Sequence, residues 1–461
     1  MDNLKSKLTI AFCLIAVFII GTFFLGPEFF MLILMVALLF VCVFVILVRY
    51  PVLVILSIIG GTSLIPYHSD LPLTHIGSIN IPDLILFLLV AVVIFRVLFL
   101  RVKPIRTPLD MPLIIFVGLG TAILLIGALE KKYLFFVGLK EFKPILYYLL
   151  PLLITNIIKE KKELKLVIYG CLALGVITAV TVILQVWLNP PTTASEAQDV
   201  FYRYKAISGL MLPCWSFLAF VCLLLIRKIN LSYILAASIT LFSVIFSFSR
   251  HLWISLVVGV LLVSLLTFKR NKVRILGILS LAIIFILLVG TAVLLRVEPV
   301  PTYVKLITLR TESLTSGERI ENWEVRKLEN EYALKKIAGH PLFGIGFVSP
   351  YRPQIYGPDD NLEWYIHNGY LWILLKLGIA GLIPFLWFSY FFVRRGIKYW
   401  NQVADDFLRP VVLGSVCSYL AIAVGNYAAP HFISTWEVAV FGLSMGINEV
   451  IYRLEGVDAY R

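Results

Sequence analysis

The chain has 461 residues, of which 60% are hydrophobic and 15% are charged, and its formal net charge is +13. Soluble domains are about 45–50% apolar, whereas apolar runs of about twenty residues, each long enough to span a bilayer, recur along most of this chain. The composition therefore excludes an ordinary soluble protein and predicts an all-α, polytopic integral membrane protein. A transmembrane barrel is excluded because its strands would alternate in polarity.

The positive charge does not indicate nucleic-acid binding, because lysine and arginine lie in short loops between apolar runs, where they set membrane orientation. The six cysteines all lie inside apolar stretches without zinc-type spacing. They predict neither a disulfide framework nor a metal centre. A GxxxxGK[ST] phosphate loop is also missing from the sequence, so ATP chemistry is not expected. We therefore expect no metal and no cofactor.

About fourteen membrane helices are predicted, each compared with the roughly 20 residues that a span requires. A re-entrant hairpin would reduce their number to about twelve. The predicted helices lie near residues 8–25, 29–48, 52–66, 81–99, 111–129, 137–157, 166–188, 210–226, 232–248, 252–268, 275–295, 366–392, 408–427 and 431–450.

Loop charges predict the orientation of these helices. Basic loops occur on one predicted side, at 96–106, 159–165, 227–230, 269–274 and 393–398, while the loops on the opposite side carry almost no lysine or arginine. By the positive-inside rule, both termini are expected in the cytoplasm.

This orientation divides the chain into three regions. Residues 1–295 are an N-terminal bundle of about eleven helices, 296–365 are an extracytoplasmic loop, and 366–461 contain about three helices and a short cytoplasmic tail. Within the loop, apolar residues at helical spacing predict an amphipathic helix over 316–338. Gly339 ends that helix and Pro341 prevents it from resuming.

Cationic side chains near the predicted outer surface are candidates for binding an anion. Arg250, Arg203 and Lys140 lie near helix ends, and Arg319 lies in the large loop. Each is also explained as an interfacial anchor or, for Lys140 beside Glu141, as part of a local salt bridge. Together they predict a pocket for a lipid diphosphate, since guanidinium groups bind phosphate oxygens bidentately.

His367 lies between this polar loop and a long apolar helix. An imidazole titrates near neutral pH and can act as a general base, although a lone histidine at a helix end is more often structural. Metal ligation is not indicated, because the chain has no HExxH motif and no paired Cys/His spacing.

Four motifs occur in order along the second half of the chain. They are SFSR (247–250), SGERIENW (316–323), GHPLFGIG (339–346) and HNGYLWILLKLGIAG (367–381). Together they resemble the signature region of the O-antigen ligase and polymerase superfamily. Two features depart from that pattern: Cys214 stands where the family usually has asparagine, and about two extra helices precede the loop.

The resemblance implies a GT-C-like, metal-independent glycosyltransferase in the bacterial inner membrane, with its active site on the extracytoplasmic face. The implied donor is a glycan on undecaprenyl diphosphate, and the implied acceptor is the lipid A core or another surface acceptor. By the motif match, Arg250 and Arg319 bind the donor diphosphate and His367 activates the acceptor hydroxyl. Direct attack would invert the anomeric configuration.

Further residues near these motifs are candidates for orienting a sugar or an arginine. These are Glu318, Trp323, Asn368 and Tyr370. Ordinary surface pairing and interfacial anchoring explain such residues equally well. The sequence also leaves two other functions open, a polymerase that extends lipid-linked glycans and, more remotely, a transporter of lipid-linked sugars. The lack of internal repeats favours an enzyme over a transporter.

Overall fold

The structure is a computed structural model, and it describes a subset of the chain. The described residues are 50–64, 75–76, 79–99, 101–130, 135–188, 209–227, 229–247, 249, 251–267, 317–353 and 365–457, with only the backbone described at 51, 75, 76, 79, 186, 187 and 317–323. The helices predicted near 8–25, 29–48 and 275–295 lie outside these residues.

The regular secondary structure of the described residues is helical apart from one short β-hairpin. Its strands β1 (His75–Ile76) and β2 (Ile79–Asn80) are antiparallel. The helices are α1 (Pro51–Leu64), α2 (Ile81–Leu98), α3 (Asp110–Leu129), α4 (Phe135–Leu146), α5 (Leu150–Ile157), α6 (Lys161–Leu188), α7 (Met211–Ile226), α8 (Leu231–Phe246), α9 (His251–Thr267), α10 (Gly317–Gly339), α11 (Gly369–Tyr399), α12 (Leu408–Gly425) and α13 (Thr435–Leu454), with 3₁₀ turns at Tyr147–Leu149, Trp400–Gln402 and His431–Ile433.

Several of these helices are suited to a bilayer. Among the described residues, α2, α3, α6, α11 and α12 are long and apolar enough to cross a membrane, and α1, α7, α8 and α9 are shorter apolar helices. The predicted all-α, multi-pass membrane architecture is confirmed. The amphipathic loop helix is confirmed as α10, whose bounds lie within one residue of those predicted.

One predicted helix, 137–157, is divided in the structure. α4 gives way to the 3₁₀ turn and α5 follows it. Pro151 has no N–H with which to continue the α-helical ladder to the Tyr147 carbonyl. The N–H of Leu150 bonds to that carbonyl instead, which is the tighter spacing of a 3₁₀ turn.

The long helix α11 is interrupted at Gly378, where φ is 65° and ψ is −167°. A left-handed φ of this kind is readily adopted by glycine and rarely by other residues. A Cβ at this position would also lie 2.2 Å from the carbonyl oxygen of Leu342. The interruption therefore requires glycine both for its dihedral angles and for its close packing.

The GHPLFGIG turn supplies the hydrogen bonds that α11 loses at this interruption. The carbonyls of Leu375 and Lys376 accept from the N–H groups of Ile345 and Gly346, at 2.8 and 3.2 Å. In the opposite direction, the N–H groups of Ile379 and Ala380 donate to the carbonyls of Pro341 and Leu342, at 2.9 and 3.0 Å. This exchange satisfies backbone groups that lipid cannot, and it fixes the turn against the middle of α11.

Several helices of the bundle pack closely against one another. α13 packs against α5 and α12, α12 against α7, α11 against α3, and α10 against α11. A Cβ at Gly442 would lie 2.7 Å from the Tyr147 carbonyl oxygen, and one at Gly446 would lie 2.8 Å from Ile154. Small residues at such positions let membrane helices approach closely.

The end of the bundle at Tyr399 and Leu454 carries a network of ion pairs. Arg395 binds Glu449 through two hydrogen bonds of 2.9 Å. Lys161 contacts Asp405 at 3.0 Å and Glu455 at 2.6 Å, and Lys165 contacts Asp405 at 2.7 Å. These contacts join α6, the α11–α12 connection and the end of α13.

We expect this network to weaken in acid. Burial alone would raise the pKa of Asp405, but hydrogen bonds from Lys165 and Lys161 hold that pKa well below its usual range. A lowered folded-state pKa contributes stability above the unfolded value of about 4, and this stability is lost as pH falls through the folded value. The unfolding temperature in detergent should therefore fall as pH decreases below about 5. Asp405→Asn should flatten this dependence, and an unchanged pH profile in that variant would contradict the assignment.

Candidate functional site

His367 and Glu329 form a hydrogen-bonded pair at the beginning of α11. His367 Nδ1 lies 2.8 Å from Glu329 Oε2. The Glu329 side chain is 1% exposed, whereas that of His367 is 28% exposed. Glu329 shares the buried face of α10 with Ala333 and Ile337, because residues four apart lie on one face of a helix. The amphipathic helix therefore places a carboxylate under the predicted catalytic histidine.

This contact selects the tautomer of the neutral imidazole. A carboxylate oxygen only accepts hydrogen bonds, so Nδ1 carries the proton. The neutral ring then has its lone pair on Nε2, at the side of the ring away from Glu329. The ring of Tyr365 packs edge-on against His367 with centroids 5.1 Å apart. The pair presents a partly exposed, oriented base at the beginning of α11.

Asn368 and Tyr370 use polar groups to hold the helix in place. The Asn368 side-chain oxygen accepts from the N–H groups of Tyr370 and Leu371, at 3.1 and 3.2 Å, and so caps α11. The Tyr370 hydroxyl donates to the Ala423 carbonyl at 2.8 Å. These contacts fix His367 relative to α12. The sugar contact predicted for Asn368 and Tyr370 stays a prediction.

The charged residues of α4 contact other helices. Lys143 lies 3.1 Å from Asp83 of α2, and Glu141 lies 3.1 Å from Lys376 of α11. Lys140 is exposed. The local salt bridge considered from the sequence is thus replaced by two ion pairs between helices. The role of Lys140 in binding a diphosphate stays a prediction.

The remaining predicted site residues are not described in full. Arg203 and Arg250 lie outside the described residues, as do the side chains of Glu318, Arg319 and Trp323. The backbone of α10 is continuous from Gly317 to Gly339, and Arg319 is ten residues before Glu329. At 1.5 Å per residue, the two α-carbons are separated by about 15 Å along the helix. The meeting of the arginines with His367 stays a prediction.

A second histidine–carboxylate pair lies at the same end of the bundle. His431 Nδ1 is 3.4 Å from Glu437 Oε1, and the His431 ring lies 4.9 Å from that of His251, centroid to centroid. His431 and Glu437 are six residues apart, and a 3₁₀ turn and a helix start lie between them, so their spacing in sequence does not indicate this contact. For Glu329, the sequence did contain a signal, because Ala333 and Ile337 follow it at successive intervals of four residues and so share its face of the helix.

Metal ligation finds no support in the described part of the chain, which contains no group of three or more His, Cys, Asp or Glu side chains placed to hold an ion. The cysteines at 171, 214, 222 and 417 are buried and unbridged.

A family model described as O-antigen ligase matches residues 235–386. The match contains all four motifs, from SFSR through HNGYLWILLKLGIAG, together with the His367–Glu329 pair. It confirms the resemblance predicted from those motifs over this third of the chain. A search of curated proteins finds no match.

Proposed function

We propose, from the O-antigen ligase domain at residues 235–386, that this multi-pass membrane protein transfers a glycan from undecaprenyl diphosphate to an acceptor hydroxyl. The acceptor is the lipid A core or another surface acceptor, and transfer occurs on the extracytoplasmic side. The observation that carries the proposal is the 2.8 Å contact between His367 Nδ1 and Glu329 Oε2. This contact leaves Nε2 as the proton acceptor at a partly exposed helix mouth.

In this mechanism, His367 Nε2 removes the proton of the acceptor hydroxyl as the oxygen attacks the anomeric carbon. The bond from that carbon to the diphosphate breaks, and the configuration inverts. Glu329 holds the imidazole and stabilises the imidazolium that forms. Arg250 and Arg319 stabilise the charge that develops on the leaving diphosphate, an electrostatic contribution that needs no covalent intermediate.

The charge distribution supports an extracytoplasmic site. His367 lies at the end of α11 opposite to Arg394, Arg395 and Lys398. The positive-inside rule places the basic end in the cytoplasm. His367 then faces the outer leaflet, where a lipid-linked glycan presents its diphosphate and sugar.

The acceptor distinguishes this proposal from its alternatives. Purified protein would receive an undecaprenyl diphosphate-linked glycan with two acceptors, a lipid A core and a second lipid-linked glycan, without nucleotide. We expect product on the core. Elongation of the lipid-linked chain would instead make the protein a polymerase. Movement of the lipid across vesicles without any product would favour transport.

Arg250→Ala and Arg319→Ala should each weaken donor binding by about tenfold or more, because each removes charge-assisted hydrogen bonds worth about 1.5–3 kcal/mol. The measurement is the dissociation constant of undecaprenyl diphosphate for the detergent-solubilised protein. Lys327→Ala is the matched control, since Lys327 is an exposed cation on α10. Equal affinity in the arginine variants and the control would remove these arginines from the diphosphate site.

A further inference from the structure

We propose that residues 425–437, which comprise the last residue of α12, the α12–α13 connection and the first residues of α13, form a subsite for the sugar that is joined directly to the donor diphosphate. Its polar groups are those of Asn426, His431 and Glu437. The inference rests on the proposed function and assigns sugar recognition to residues that the catalytic pair does not include.

Three buried polar atoms of this connection lack hydrogen-bond partners among the described residues. They are Asn426 Nδ2, His431 Nε2 and Glu437 Oε2. Asn426 is fully buried and His431 is 3% exposed. A buried polar atom that is left unsatisfied destabilises the fold, and most such atoms in folded proteins have a partner. Three within twelve residues indicate a place where a polar ligand supplies the missing bonds.

The chemistry of these atoms favours a hydroxyl-bearing ligand over an anion. Glu437 Oε2 is an acceptor, and Asn426 Nδ2 is a donor. His431 holds its Nδ1 proton toward Glu437 Oε1, at 3.4 Å, so Nε2 of the neutral ring is a second acceptor. A sugar hydroxyl donates and accepts hydrogen bonds and matches this mixed set. A phosphate group would place its negative charge beside the Glu437 carboxylate.

The connection lies directly against the N-terminal end of α11. The N–H of Gly369 donates to the Asn426 carbonyl at 3.0 Å. A Cβ at Gly369 would lie 2.3 Å from Asn426 Oδ1, so the absence of a side chain brings the two segments together. Gly369 is two residues after His367. A sugar on Asn426 is therefore held next to the proposed base.

The surroundings of the subsite suit a glycan. The Glu437 side chain is 16% exposed, so the pair lies close to the protein surface. Tyr427, which directly follows Asn426 in sequence, is 52% exposed and offers an aromatic face to a sugar ring. The His251 ring packs against His431, and His251 directly follows Arg250, the predicted diphosphate ligand. From this sequence order and the predicted role of Arg250, we expect the sugar to lie near the diphosphate.

The test compares bare undecaprenyl diphosphate with the same lipid carrying N-acetylglucosamine, glucose or galactose. We expect the purified wild-type protein to bind at least one sugar-bearing lipid about tenfold more tightly than the bare lipid, the gain of about one charge-assisted hydrogen bond. Glu437→Gln and His431→Gln should abolish this gain and leave the affinity for the bare lipid unchanged. Glu331→Gln, an exposed glutamate of α10, should keep it.

Three results would overturn the subsite: no gain with any of the three sugars, a gain that persists in both variants, or a gain lost equally in the control. Failure of wild type to bind even the bare lipid would instead contradict the proposed function. Should the variants not fold, hydrogen exchange of the wild type decides the question. The sugar-bearing lipid must then protect residues 425–437 more than the bare lipid does, and equal protection would reject the subsite.

Discussion

Replacing His367 with alanine should lower the rate of glycan transfer by about 10²–10⁴-fold, the usual contribution of a general base. The side chain is partly exposed, so its loss should leave membrane insertion unchanged, but the unfolding temperature should fall somewhat because the buried Glu329 carboxylate loses a hydrogen-bond partner. Single-turnover transfer at saturating donor isolates the chemical step from donor binding. Normal turnover by a folded His367→Ala protein would exclude the base assignment.

Glu329→Gln separates orientation of the base from the base itself. The amide of glutamine keeps the shape of the side chain but cannot stabilise an imidazolium as a carboxylate does. Transfer should therefore fall to a rate between those of wild type and His367→Ala, with donor affinity unchanged. Glu331→Gln is the matched control, because Glu331 lies two residues further along α10 and is exposed. Equal rates in the two glutamine variants would make Glu329 a structural residue only.

The helices were predictable because each span needs about twenty apolar residues, and that requirement is visible in any single segment. The ends of α2 and α3 lie within one residue of the predicted ends. The division of 137–157 also has a local cause, Pro151, but it was not predicted because the residues on both sides of the break are apolar and read as one continuous span. The interruption of α11 at Gly378 was harder to predict from the sequence. It depends on the GHPLFGIG turn, whose hydrogen bonds to α11 join residues that are 30 or 38 positions apart in sequence.

A residue of the candidate site could be predicted when it belonged to a sequence motif. It could not be predicted when only the packing of distant helices brings it to the site. His367 follows from its motif and from its place at a helix mouth. Glu329 lies 38 residues away in sequence, and only the packing of α10 against α11 brings it to the imidazole. The ion pair of Lys376 also depends on packing, because nothing in the apolar sequence of α11 indicates a partner for this lysine. Its partner Glu141 lies on α4, more than two hundred residues earlier.

The pair of Lys376 and Glu141 holds the GHPLFGIG turn against α11. The Lys376 side chain is fully buried, and its Nζ lies 3.1 Å from Glu141 Oε1 and 3.1 Å from the Ser349 carbonyl oxygen. The other oxygen of Glu141 accepts a hydrogen bond from the Val348 N–H. One buried pair thus joins α4, α11 and the segment that follows the turn.

Removing one partner of this pair should be strongly destabilising. Glu141→Ala leaves the Lys376 ammonium buried without its carboxylate, which typically costs about 3–5 kcal/mol. Replacement of both partners by apolar residues of similar volume, as in Glu141→Leu with Lys376→Met, is often neutral. The double variant should therefore regain most of the unfolding temperature that either single variant loses. Lys335→Met, at an exposed lysine of α10, is the control and should change that temperature little.

Transfer activity should follow stability in these variants, because the pair acts on His367 through the position of α11 and not through contact with substrate. Glu141→Ala should lose activity, and the double variant should recover it together with the fold. Recovery of the unfolding temperature without recovery of transfer would contradict a purely structural role. It would show that a charge of the pair takes part in binding the donor, as the neighbouring Lys140 is predicted to do.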